Sequence, residues 1–215
     1  MSVAKPNRVL IVINHLASGD TDYLYRFIEQ SGQGTVQATL GDDYERIVKL
    51  YGPNATLPKL TRAIRTQGAR KIVHRIDLIV MLHGSPGTLY FQDGATNSSQ
   101  VGTQIAALNL SSKLRLLYNT SCYGDSHSQD FIGAGFDAAI GSKKVNANAA
   151  VELPVLLSIW QFDNKLSDCL APTIPLTPPS DAATTVYGQA QNTSWKNDVN
   201  STKVLRGNGQ IKIST

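Results

Sequence analysis

Five strand-like runs separated by helical patterning set the narrowest limit on how this 215-residue chain can fold. They are "RVLIVIN" (8–14), "TVQATLG" (35–41), "IDLIVML" (76–82), "LRLLYNTSCYG" (114–124), whose last residues form a turn, and "FDAAIGS" (136–142). The long runs are apolar without alternation, so both of their faces need cover, and parallel sheets receive that cover from crossover helices. The segments between them supply it. "TDYLYRFIEQS" puts Leu24, Phe27 and Ile28 on one face, and helical patterning recurs in "DYERIVKLYG". "LPKLTRAIRTQG" is bounded by Pro58 and Gly68, "SQVGTQIAALNL" is capped near Ser98 or Ser99, and "ANAAVELPVLLSIWQF" has its apolar part started or kinked by Pro154. "GTLYFQDGATNSS" has the alternation and Asp-Gly turn of a short hairpin. This order predicts an α/β fold with a mainly parallel sheet covered on both faces.

Domain organisation follows from where the pattern stops. Residues 1–170 read as one domain; from 171 to 215 a Pro-rich connector, "APTIPLTPPS", leads into polar chain that reads as an extension of the same domain. Within it, "KVLRGNGQIKI" has the form of a hairpin around Gly-Asn-Gly.

The net charge of +4 calls for no polyanionic partner. Lys59, Arg62 and Arg65 share one helical face but lack the interleaved aromatics of a nucleic-acid surface, so no nucleic acid is expected. No run reaches membrane-spanning length, and the amino terminus has no secretory h-region, which predicts a cytoplasmic protein with no membrane partner. Cys122 and Cys169 are too few for a disulfide framework and are expected to be reduced.

Two of the runs end on reactive groups: "LIVMLHG" on His83 and "LRLLYNTSC" on Cys122. If the two strands are parallel neighbours, their carboxyl ends share one edge of the sheet, where open α/β sheets place their chemistry. An imidazole beside a thiol stabilises or accepts the thiol proton, and the thiolate is a strong nucleophile. Zinc ligation by Cys122, His127, His83 and Cys169 is not expected, because the spacing lacks C-x-x-C or comparable clustering. A serine hydrolase is disfavoured by the absence of a G-x-S-x-G elbow. His127 falls in a loop or helix start beyond Cys122, and Cys169 reads as a packing residue.

An apolar strand ending in His-Gly, followed by a main strand ending in a small residue and then Cys, resembles the caspase-like cysteine peptidases: caspases, metacaspases, clostripain, gingipains, legumain, separase and bacterial CHAT domains. The matching residues are His83, Gly84, Ser121 and Cys122, and the likeness extends over about residues 8–165. It implies a three-layer α/β/α sandwich and a cysteine endopeptidase without cofactor or metal, acting on a peptide or protein substrate through an acyl-enzyme. Cys122 would be the nucleophile and His83 the general acid/base, with the backbone N–H groups of Gly84 and Cys122 as oxyanion donors. The chain departs from the pattern two residues before the nucleophile, where metacaspases carry an acid and caspases Gln; here Thr120 stands there. A metacaspase or caspase specificity pocket therefore does not carry over intact. In these peptidases the loop after the first strand helps to build that pocket, and here "HLASGDTDY" offers Asp20 and Asp22, which would favour a basic P1 residue. Both acids equally suit a helix start, where they cap N–H groups. The alternative to an enzyme is a noncatalytic scaffold or binding domain that keeps the fold.

Overall fold

The computed structural model describes residues 7–16, 23–146 and 148–215. Its centre is a sheet in the order β2-β1-β3-β6-β7-β8, formed by β1 (Arg8–His15), β2 (Arg46–Tyr51), β3 (Arg75–Ser85), β6 (Leu114–Asn119), β7 (Ala138–Ser142) and β8 (Lys203–Gly207). All pairings along it are parallel except β7 with β8. A hairpin of β4 (Thr88–Phe91) and β5 (Gly94–Asn97) continues from β3.

Side chains along each central strand point alternately to the two faces, and both faces are buried. Val9, Ile11, Ile13, Leu78 and Val80 pack with Leu60 and Ile64 of α2 (Leu57–Gly68), Val101 and Ile105 of α3 (Ser98–Ala106) and Phe131 of α4 (Gly124–Gly133). Leu10, Val12, Met81 and Leu116 pack the other way, against Ile28 and Val36 of α1 (Tyr23–Leu40) and Leu153, Leu157 and Trp160 of α5 (Ala149–Trp160). These are the three layers that the apolar runs require. The expected hairpin and the helix at Leu57–Gly68 are present, the latter capped by Thr56, whose hydroxyl accepts from the Lys59 N–H at 3.3 Å.

Four local expectations are corrected. Residues 35–41 are not a strand: α1 runs on to Leu40, burying Ile28, Gly32, Val36 and Leu40 at four-residue spacing. Gly32 is one of these inward positions because a Cβ there would lie 1.9 Å from Met81 Cε. The helix expected over "DYERIVKLYG" is instead β2, an edge strand paired with β1 from Val9↔Arg46 to Asn14↔Tyr51. The Pro-rich connector is a 3-10 segment at Ala171–Leu176 leading into α7 (Thr177–Ala190), where prolines sit in the first turn and need no N–H partner. "KVLRGNGQIKI" forms no hairpin; β8 instead joins the main sheet from Ala138↔Gly207 to Ser142↔Lys203. Between α5 and α7 lies α6 (Leu166–Leu170), which buries Leu166 and Cys169.

A buried ion pair ties the end of the chain to the sheet. Arg115 on β6 meets Asp77 on β3 through Nε at 2.9 Å and through a second, shorter contact, with both side chains almost fully buried. The same guanidinium donates to the Lys212 carbonyl at 2.9 Å and to Thr215 O at 2.8 Å. Asp77 also accepts from the Leu116 N–H at 3.1 Å and from the Tyr44 hydroxyl. Among the described residues no helix is long and apolar enough to cross a membrane.

Candidate active site

β3 and β6 lie side by side and parallel, with Val80 opposite Asn119. His83 is three residues beyond Val80 and Cys122 three beyond Asn119, so the register carries both to one level at the carboxyl edge of the sheet. The two residues line one narrow cavity of about 10 Å³, together with Leu16, Tyr25, Ile28, Leu82, Thr120 and Asn146. That is room for about one water. Among the described residues no group of three or more His, Cys, Asp or Glu side chains is placed to hold a metal ion.

β3 does not stop at His83. It leaves the parallel sheet after Leu82 and pairs antiparallel with β4, His83 opposite Tyr90 and Gly84 opposite Leu89. His83 therefore sits where one sheet becomes a hairpin. Its Nε2 lies 2.8 Å from the Leu16 carbonyl oxygen, and the ring meets Tyr25 edge-on with centroids 4.6 Å apart. A carbonyl only accepts, so Nε2 carries the proton and Nδ1 of the neutral ring is left as the basic nitrogen. Leu16 is itself held by α1, since its N–H donates to Glu29 Oε2 at 3.2 Å. His15 lies next to this arrangement: burial pushes it below its usual value, the neighbouring His83 pushes it the same way, and Glu29 acts against both.

Cys122 follows the end of β6 in a tight turn. Asn119 Oδ1 accepts the Ser121 N–H at 2.9 Å, and Tyr123 adopts the left-handed conformation (φ 57°) just before α4 begins. Tyr123 N–H donates to the Lys144 carbonyl at 2.8 Å. The turn packs closely on its neighbours. A Cβ on Gly84 would lie 2.4 Å from the Cys122 carbonyl oxygen, and a Cβ on Gly141 would lie 2.1 Å from the Gly124 carbonyl carbon. Glycine is required at both contacts.

The thiol is bracketed by Asn146, whose N–H points to Sγ at 3.4 Å and whose carbonyl oxygen lies 3.9 Å from it. Asn146 is held in turn by its own Nδ2, which donates to the Thr120 carbonyl at 2.8 Å. Burial pushes the Cys122 thiol up, and against it work the Asn146 N–H and the charge of Lys203 on β8. Lys203 is buried and meets Glu152 Oε1 of α5 at 2.6 Å; the same oxygen accepts from the Tyr118 hydroxyl at 2.7 Å. Cys169 differs: it is fully buried, and burial, followed by Asp168, pushes it up to about 12.

His83, Gly84 and Cys122 are thus brought together. Asp20 and Asp22 lie outside the described residues. His127 is on α4 and buried, with both ring nitrogens engaged, so neither is free to exchange a proton with a substrate. No sequence signal marks Leu16 and Asn146, which act largely through backbone atoms, Glu29, whose carboxylate receives the Leu16 N–H, or Lys203, which reaches the site from β8.

The layers and strand order define a three-layer α/β/α protein with a narrow cavity at the carboxyl edge of its parallel strands. More particularly, the architecture is the caspase-like fold. It is similar to the crystal structure of the Drosophila initiator caspase Dronc (TM-score 0.59, 14% identity, 99% of this chain and 84% of that one). It is also similar to caspase-1 from Spodoptera frugiperda (TM-score 0.58, 11% identity, 96% of this chain and 88% of that one). A third similar structure is the Arg-specific cysteine proteinase gingipain R (TM-score 0.54, 13% identity), of which this chain, over 97% of its length, spans 48%. The sequence matches no protein-family model and no curated protein.

Proposed function

We propose that the chain is a cysteine endopeptidase acting through Cys122 and His83. The observation that carries this reading is the shared cavity, which two strand ends in register build from one imidazole and one thiol. The thiolate attacks a peptide carbonyl and forms a thioester; the His83 imidazolium gives its proton to the departing amine, and water, deprotonated by the same ring, releases the acid. The Leu16 carbonyl supports this role by holding Nε2–H, so that proton exchange falls to Nδ1. Gly84, whose backbone lies against the Cys122 carbonyl, and Cys122 itself supply N–H groups for the oxyanion. The reaction requires no metal or cofactor.

For specificity, the segment carrying Asp20 and Asp22 joins Leu16 to α1, and both Leu16 and Tyr25 line the cavity. A carboxylate there favours Arg or Lys at P1. The test is a peptide-library cleavage profile of the purified protein beside Cys122→Ala, Asp20→Ala and Asp22→Ala. Cleavage is expected to disappear in the first variant and the basic preference to weaken in the others. Undiminished cleavage by Cys122→Ala overturns the nucleophile, and an unchanged profile in the Asp variants overturns the P1 assignment alone.

One observation favours a second reading, that of a noncatalytic scaffold: the cavity at Cys122 is too narrow for a peptide side chain. A scaffold would cleave no member of the library and would still hold a partner stably.

A further inference from the structure

His127 stands outside the dyad, yet its ring touches both strand ends that carry it. From α4 its Nε2 lies 2.9 Å from the carbonyl oxygen of Ser85, two residues beyond His83. Its Nδ1 lies 3.0 Å from Asn119 Nδ2, and Asn119 Oδ1 accepts the N–H of Ser121, the residue before Cys122. Gly84 fits between these partners, since a Cβ there would lie 3.2 Å from His127 Cε1.

The proton positions in this relay follow from its ends. The Ser121 N–H can only donate, which turns the Asn119 oxygen toward it and the Asn119 amide nitrogen toward the ring. That nitrogen can only donate, so Nδ1 of His127 is unprotonated. Nε2 then carries the hydrogen and gives it to Ser85 O, which can only accept. All four ring and amide positions are used once, and His127, Asn119 and Ser121 are buried, so no competing water is needed to complete the set. Burial agrees with this assignment, holding the ring below its usual value against the opposing pull of the Ser85 carbonyl and Asp130.

We propose that His127 is a positioning residue that fixes the hairpin end bearing His83 relative to the turn bearing Cys122, through one enforced tautomer. A ring without this geometry leaves both elements folded but lets imidazole and thiol drift out of alignment, and small misplacements of reacting groups cost rate steeply. The inference rests on the peptidase reading above for its kinetic consequence, though not for its geometry.

The test uses the full chain, His127→Leu and His127→Gln, the last of which keeps an N–H donor for Ser85. In the wild type, nitrogen-15 NMR should show His127 as the Nε2–H tautomer at neutral pH; a proton on Nδ1 overturns the proposal. With the best library peptide, His127→Leu should lose between about tenfold and a hundredfold in kcat with little change in KM, and His127→Gln should recover part of it. Wild-type kcat in folded His127→Leu, or a loss confined to KM, overturns the proposal. If His127→Leu does not fold, the glutamine variant and the NMR assignment carry the decision. If the wild type cleaves no peptide, the peptidase reading fails, and the clamp is judged by NMR and by the rate at which iodoacetamide alkylates Cys122: a several-fold change in either variant supports it, and unchanged rates in both overturn it.

Discussion

The imidazole of His83 is held by the carbonyl of Leu16 at 2.8 Å, and Leu16 is held by Glu29. The orientation of the proposed acid/base therefore depends on a helix that contributes no reacting group. Glu29→Ala removes the acceptor from the Leu16 N–H, a loss of about 1–1.5 kcal/mol, and should lower kcat about tenfold. Steady-state kinetics on the library peptide measure it, and an unchanged kcat would remove Glu29 from the chain of support.

The two cysteines should differ sharply toward alkylating agents. Cys169 is held up to about 12 by burial and by Asp168, whereas the upward push of burial on Cys122 is opposed by the Asn146 N–H and Lys203. Mass spectrometry after brief iodoacetamide treatment should find the label on Cys122 only. Replacing the buried pair together, as Lys203→Met with Glu152→Gln, leaves no stranded charge and should slow that labelling several-fold. Equal labelling of both cysteines would contradict the electrostatic account.

Removing one member of the Asp77–Arg115 pair leaves a buried charge without its partner. Asp77→Ala should destabilise the fold by about 3–5 kcal/mol, read from urea midpoints at constant slope. A loss under about 1 kcal/mol would show that the carbonyl oxygens of Lys212, Ile213 and Thr215 satisfy Arg115 without Asp77.

Stability should fall on mild acidification. His127 and His15 are both depressed below 6.5, chiefly by burial. Between that value and their lower folded values the unfolded chain binds more protons than the native one. Their contribution is whole above about 6.5 and is lost as pH falls toward the depressed values. Urea midpoints at about pH 7.5 and about pH 5.5 should differ in that direction, and the difference should shrink in His127→Gln. Equal midpoints would show that neither ring stays neutral in the fold.

Much of this architecture is legible in the sequence because β1, β3, β6 and β7 are buried on both faces and show as mostly apolar runs without alternation, into which β3 and β6 admit the paired Asp77 and Arg115. The α1–β2 region is not legible for a physical reason. One of the four inward positions of α1 is Gly32, chosen for contact with Met81, so an apolar count sees only half a helix. β8 is not legible because an edge strand of Lys, Val, Leu, Arg and Gly, only partly buried, has no burial signature. His83 and Cys122 could be found because each ends a strand. Their supports could not: Leu16 and Asn146 act through main-chain atoms that any residue possesses, and the reach of Lys203 depends on a tertiary pairing.

That pairing has a consequence in time. Lys203 enters the sheet on the last strand, opposite Ser142, and the carbonyls that receive Arg115 lie later still. A chain emerging from the ribosome thus exposes His83 and Cys122 well before it has the cation that eases thiol ionisation or the anchor that closes the core. On the proposed reading, nucleophilic strength matures only once β8 has been made, so a nascent chain is kept chemically quiet by the order in which its parts arrive.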